Sequence, residues 1–339
     1  MRAYGKPFSS IDEQLALLTK RGMDVGDPTA ARMLLQRVGY YRLSGYWHPF
    51  RNSGVTESGF AIHDDFVPGT TLEKVVEIYE FDRRLRLLTM DALERVEIAL
   101  RFHIGHTLGR RGAFAHTDVR CLSPEFTSCA DVEPPNLAKW RNSDHAKWLA
   151  KRDLEVKRSK ADFAVHFKRS YELPLPVWVT TELMDFGGLA TLYAGLLQTD
   201  RDSIAAHLSL DDRSGAGHGG ALKDWLSNLT YVRNVCAHHA RFWNANITSR
   251  LSTRHLRAFP ELAHAAGPST ARPYSSLAVL AVLSKRLDPT DDWPTRVRTH
   301  IHERLPDGRS PGELGCPDGW QRERIWESHP QNRRVLGGK

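Results

Sequence analysis

Apolar positions recur along most of this chain at helical rather than strand spacing. In residues 71–108, TLEKVVEIYEFDRRLRLLTMDALERVEIALRFHIGHTL, the side chains Leu85, Leu88, Ala92, Val96, Leu100 and Ile104 return every three or four residues. That period predicts one long amphipathic helix. Upstream, Ser10 with Glu13 forms a capping box ahead of Leu15, Leu17 and Leu18, and Gly22 ends the run. Asp27-Pro28 reads as the cap and first residue of a second helix, reaching about Val38 before Gly39. The stretch GYYRLSGYWHPFRN crowds aromatics around two glycines, which predicts a turn rather than a helix, with a loop or hairpin rich in Gly, Ser and Thr over about 52–70. Residues 114–160 are polar, contain Pro134-Pro135, and read as an insertion carrying one or two helices. Further helices are expected at about 178–197, 199–208, 221–244, 274–286 and 294–304. DDRSGAGHGG marks a flexible break, and the tail after Pro330 reads as disordered. There is no internal repeat and no alternating strand pattern of useful length, so the expected fold class is all-α.

Composition narrows the setting. The 339 residues are 41% hydrophobic and 26% charged, enough for one large or two modest cores at roughly 100–200 residues per domain. An apolar run of about 18 residues is missing, which predicts no membrane span. The start MRAYGKPF lacks a signal-peptide core. The cysteines at 121, 129, 236 and 316 form no CxxC pair, so a reducing cytoplasmic location is expected. The formal net charge is +7, and Arg far outnumbers Lys. A polyanionic partner suits that balance, because guanidinium groups bind phosphate bidentately; a GC-rich genome would produce the same bias.

The densest chemistry lies at 231–243, YVRNVCAHHARFW. On a helix over 222–244, at 100° per residue, Leu222, Trp225, Leu226, Leu229, Val232, Cys236, Ala240 and Trp243 form the core stripe. Asn234, His238 and Arg241 cluster on another side, His239 lies near Val235, and Arg233 points along the apolar stripe. An Arg there must snorkel or find a partner, because an unpaired buried charge costs several kcal/mol. Imidazole suits proton transfer near neutral pH, and guanidinium suits a phosphate gaining charge. Together they can cleave RNA without a metal. Yet Arg-x4-His spacing arises often by chance, and Arg101 with His106 repeats it. With Gly105 between them and no Asn after the Arg, that second pair reads as helix and packing groups. A metal site from Cys236, His238 and His239 is poorer, since adjacent histidines diverge by about 100° on a helix.

With these residues in view, the chain resembles the Abi-like (AbiD/AbiF) abortive-infection family of the HEPN superfamily. The resemblance runs from about Lys6 to Glu327 through ordered landmarks: YYRLSGYWHPFR at 40–51, IYEFDRRLRLL at 78–88, LERVEIALR at 93–101, PVWVTTELMDFGGLATLY at 176–193 and YVRNVCAHHARFWN at 231–244. It implies a HEPN-type helical bundle with additional N-terminal and C-terminal helices and a polar insertion. The implied domains are an N-terminal segment at 1–70, a helical core at 71–260 with the insertion at about 114–160, a C-terminal segment at 261–330 and a tail at 331–339. The implied activity is a metal-independent, cofactor-free endoribonuclease, a toxin of phage defence. Its R-N-x3-H motif falls on Arg233, Asn234 and His238. Implied partners are RNA, tRNA among the targets, a second copy in a homodimer, and a regulatory non-coding RNA or antitoxin.

Arg241, His239, Glu97, Arg101 and Arg42 are the candidates for phosphate contacts or for supporting the motif. Glu97 would either pair with Arg233 or make an ordinary i,i+4 pair with Arg101. Arg42, Tyr40 and Tyr41 would contact phosphate and bases or simply pack. Asn244 reads equally as a helix cap or a site residue. The rival functions are a non-catalytic RNA-binding or antitoxin-like protein and a metal-dependent hydrolase.

Overall fold

The computed structural model describes residues 3, 5, 7–56, 59–128, 140–211 and 217–327. Pro134-Pro135, residues 212–216 of the expected break, and the tail after Pro330 lie outside the described residues. The chain forms two compact units, Met1–Arg86 with Glu303–Ser310, and Leu87–His302 with Pro311–Lys339. Helices dominate both.

In the first unit, α1 (Ile11–Lys20) begins with the expected capping box: the Glu13 N–H donates to Ser10 Oγ, and the Ser10 N–H donates to Glu13 Oε2 at 2.7 Å. Asp27 caps α2 (Pro28–Val38) by accepting the Ala30 N–H at 2.9 Å. The expected turn at 40–47 is instead a helix, α3 (Tyr40–Trp47). Only one of its two glycines breaks the chain: Gly39, at φ 90°, separates α2 from α3. Gly45 stays inside the helix, because burying Leu43, Tyr46 and Trp47 outweighs the roughly 1 kcal/mol that a helical glycine costs. A two-stranded antiparallel hairpin follows, β1 (Arg51–Thr56) and β2 (Gly59–Phe66), with Ser53 opposite Ile62 and Thr56 opposite Gly59. It is the hairpin that the sequence left open against a loop at about 52–70. The long helix α4 (Leu72–Gly109), which belongs to the first unit up to Arg86 and to the second from Leu87, lies where the apolar period placed it. Its Asp82 is fully buried, accepts the Tyr46 hydroxyl at 2.6 Å and pairs with Arg86.

The second unit adds α5 (Asp144–Arg158), α6 (Asp162–Ser170), α7 (Val177–Leu183), α8 (Phe186–Ala194), α9 (Gln198–His207), α10 (Gly219–Ala237), α11 (Pro273–Leu287) and α12 (Trp293–Glu303). The single helix expected at 178–197 is two, because Asp185 accepts the Gly188 N–H at 2.7 Å and starts α8 afresh. Every residue of α11 from Pro273 to Ser284 is buried, as befits the middle of a core. α10 packs against α8, α9 and α11, while α8 also meets α5. Among the described residues, no helix is long and apolar enough to cross a membrane.

Candidate functional site

The site is organised by the way α10 ends. Leu222, Trp225, Leu226, Leu229, Val232 and Cys236 form its buried stripe, as the sequence pattern requires. The helix stops at Ala237, not near residue 244. His238 is the cap residue, with its N–H donating to the Asn234 carbonyl at 3.0 Å. His239 turns left-handed at φ 57°. The His239 N–H then reaches the Cys236 carbonyl at 3.0 Å and the Ala240 N–H reaches the Val235 carbonyl at 2.9 Å. This is a Schellman closure with histidine where glycine is usual.

That ending changes the expected geometry. Asn234 and His238 remain one helical turn apart, and both side chains are exposed. Arg241 lies beyond the helix and is half-buried, so it does not extend their face. Ala240 is exposed rather than part of the core stripe, whereas Phe242 and Trp243 are fully buried in the chain that follows. Asn244 lies seven residues past Ala237 and is not the helix cap; its carbonyl accepts Arg272 Nη1 at 2.6 Å.

Arg233 is half-buried. Its Nη1 meets Asn234 Oδ1 at 3.5 Å, and its buried Nε has no hydrogen-bond partner among the described residues. Its charge is felt by Asp185. Burial would raise the Asp185 carboxyl, but the Lys151 hydrogen bond, the Gly188 N–H and the Lys151 and Arg233 charges hold it below the usual carboxylate range. Lys151 Nζ lies 2.8 and 2.9 Å from the two Asp185 oxygens. Sequence reasoning named neither Asp185 nor Lys151; the cap position before Phe186-Gly187-Gly188 was the available signal for Asp185.

Glu97 pairs with Arg101 on its own helix and not with Arg233, and Arg101 Nη2 also donates to the Met184 carbonyl at 3.1 Å. Met184 precedes Asp185, so Arg101 braces the chain that carries Asp185. His106, expected to pack, is exposed and stacks on Phe102 at 5.4 Å and 13°. Arg42 and Tyr41 are exposed on α3 in the other unit, while Tyr40 packs edge-on against Trp47 at 4.9 Å. Among the described residues, no group of three His, Cys, Asp or Glu side chains could hold a metal ion.

A cleft of about 690 Å³ runs beside α8 and α10, lined among others by Gly187, Thr191, Lys223, Ser227 and Thr230. Lys223, Ser227, Thr230 and Asn234 recur at four, three and four residues, which keeps them on one helix face. The cleft wall therefore continues along α10 toward the motif. With Arg233 at its end, this face can receive a phosphate and offer an imidazole beside it.

The family model for Abi-like protein matches residues 33–244. The chain belongs to the Abi-like family. The match spans α3, the hairpin, α4 and α10, and it contains every candidate residue from Arg42 to Arg241. Comparison with curated proteins and with solved structures found no match.

Proposed function

We propose that this Abi-like protein is a metal-independent endoribonuclease of the HEPN type, related to the AbiD/AbiF proteins and acting in the cytoplasm as an abortive-infection toxin. The observation that carries the reading is Arg233: a guanidinium near a helix end with one long side-chain contact, 3.5 Å to Asn234 Oδ1, and an unpartnered buried Nε, five residues before the exposed His238. A phosphate oxygen is the acceptor that suits such a donor best. His238 takes the 2′-OH proton as O2′ attacks phosphorus. Arg233 holds the oxygens that gain charge, and Asn234 keeps the guanidinium in place. The P–O5′ bond breaks, and the 5′-oxygen leaves once protonated, giving a 2′,3′-cyclic phosphate and a 5′-hydroxyl.

The reaction needs one group to accept a proton and another to donate one. A two-fold homodimer meets that need by bringing His238 of the partner subunit to the same phosphate, and isologous dimers are the commonest soluble oligomers. A heterodimer of wild type and His238→Ala then retains far less than half of the wild-type activity; about half means that each subunit cleaves alone.

The deciding experiment is cleavage of total cellular RNA by purified protein in EDTA. Cleavage by wild type and none by folded His238→Ala supports the reading. Binding without cleavage reduces the protein to an RNA-binding one, and activity only with added divalent metal makes it a metal-dependent hydrolase.

A further inference from the structure

A second concave site lies away from the cleft, where α7 crosses α4. Two glycines one turn apart allow the crossing. A Cβ on Gly105 would lie 2.9 Å from Thr181 Oγ1 and 3.2 Å from the Trp178 Cα, and one on Gly109 would meet the Trp178 indole at 3.3 Å. A helical glycine costs about 1 kcal/mol relative to alanine. Here the space it leaves is filled by the indole, which is thereby fixed on the helix surface.

The indole is not covered. Trp178 is 49% exposed and Phe102 is 61% exposed. They line a cavity of about 440 Å³ together with His106, Arg101, Arg110 and Glu182. His106 stacks nearly parallel on Phe102, and Arg110 Nη2 lies 3.2 Å from His106 Nε2. The pocket thus offers flat aromatic faces between two guanidinium groups, with one carboxylate in its lining. Its size falls in the usual range for small-ligand sites, about 300–1,000 Å³.

We infer that this pocket is a subsite for one unpaired nucleotide of a single-stranded RNA, its base stacked on Trp178 and Phe102 and its phosphate met by Arg110. Every base has a π-face, so such a platform grips single strands without reading sequence, and flanking cations hold the backbone. A nucleotide fits better than a protein side chain because the aromatic faces stand beside the exposed Arg110 guanidinium, which a base with its phosphate uses together. The pocket is tied to the candidate site through Arg101, which lines it and also donates to the carbonyl of Met184, next to Asp185. The inference takes RNA as substrate from the proposed function but does not depend on the cleavage chemistry.

The test is fluorescence anisotropy of a labelled, 2′-O-methylated single-stranded RNA oligonucleotide, which binds but cannot be cut, titrated with the full chain. Trp178→Ala and Phe102→Ala each weaken binding about tenfold, the worth of one stacked base. Trp178→Phe stays within about threefold of wild type, because it keeps a ring. Phe102 is exposed on a helix, so its alanine variant tests the subsite even if Trp178→Ala folds poorly. Unchanged affinity in Phe102→Ala and in a folded Trp178→Ala overturns the subsite while leaving any ribonuclease activity of wild type intact. Lost binding in these variants of a protein that cleaves no RNA upholds the subsite and removes the ribonuclease reading. A dimer dispersed by Phe102→Ala with RNA affinity unaltered gives the face to a second copy and overturns the inference.

Discussion

Two helix segments in this protein, Arg101–His106 and Arg233–His238, carry an arginine followed five residues later by a histidine, and their surroundings differ. At Arg101–His106 the helix runs on to Gly109. Arg101 is occupied by Glu97 and the Met184 carbonyl, and His106 lies flat on Phe102. At Arg233–His238 the helix ends at Ala237, His238 stands exposed at the cap, and among the described residues the Arg233 guanidinium makes one side-chain contact, 3.5 Å to Asn234 Oδ1; the buried Nε lacks a partner in both arginines. Spacing is therefore not the signal. What separates the two pairs is whether the helix ends there and whether the guanidinium is held by a carboxylate and a backbone carbonyl, as Arg101 is, or by one long contact, as Arg233 is.

The largest expected effect breaks the pairs apart by rate. His238→Ala lowers turnover of RNA by about a hundredfold to ten-thousandfold, the usual worth of a general acid or base. His106→Ala acts instead on KM, by about threefold, through the stacking platform. Steady-state cleavage kinetics on one oligonucleotide check both. A His106 variant with the larger loss of turnover would reverse the assignment.

A third histidine environment shows what full enclosure does. His116 has no exposed surface and accepts Arg152 Nη1 at 2.8 Å, while its carbonyl takes the His145 Nε2–H at 2.9 Å. Trp140 Nε1 donates to His145 Nδ1, which places the His145 proton on Nε2. Burial first, then the Arg152 charge and His145, push His116 down to about 3. The unfolded chain binds this proton near pH 6.5 and the folded protein does not. Stability is thus complete above about pH 6.5 and declines as pH falls toward 3. The linkage slope of about 1.4 kcal/mol per pH unit makes the contribution about 2 kcal/mol between pH 6.5 and 5. Urea unfolding of wild type and His116→Asn at both pH values measures it; an equal pH dependence in the two proteins would place the acid sensitivity elsewhere.

Much of this architecture could be read locally. Capping at Ser10 and Asp27 and the period of α4 depend on neighbours within a turn or two, so their signals lie in short windows. The end of α10 was hidden because its stop residue is His239, and a histidine at a left-handed position looks like any other in HHARFW. The Lys151–Asp185 contact joins residues 34 apart, and no spacing rule reaches that far. Gly105 read only as a residue between Arg101 and His106, and only the crossing of α7 shows what it and Gly109 admit. Arg233 was expected to need a partner; Asn234 is its neighbour in sequence, whereas Asp185, which feels its charge, came only with the packing of α8 on α10.

The stability of the two arginines sharpens the opening contrast. Arg101→Ala strands Glu97, whose side chain is 17% exposed, and removes the brace on Met184. A loss of about 1–2 kcal/mol follows, between the values of an exposed and a buried pair. Arg233→Ala stays within about 0.5 kcal/mol of wild type, because the lost group had little to give up. Parallel denaturant titrations decide this. An Arg233 variant less stable than the Arg101 variant would mean that Arg233 is a structural residue and that the candidate site is misread.

The smallest effect concerns the left-handed cap. His239 at φ 57° pays the steric cost of a Cβ in that region, although histidine tolerates it better than β-branched residues. Glycine removes that cost but gives the unfolded chain more freedom, which takes back part of the gain. His239→Gly is therefore stabilised by about 0.5–1 kcal/mol, visible as a small rise in Tm, whereas His239→Ala keeps the strain and is not. The Schellman bonds are backbone bonds and survive both changes, so His238 keeps its place at the cap. If the rise in Tm comes with loss of RNA cleavage, His239 itself takes part in the reaction, and the division of labour between the adjacent histidines is wrong.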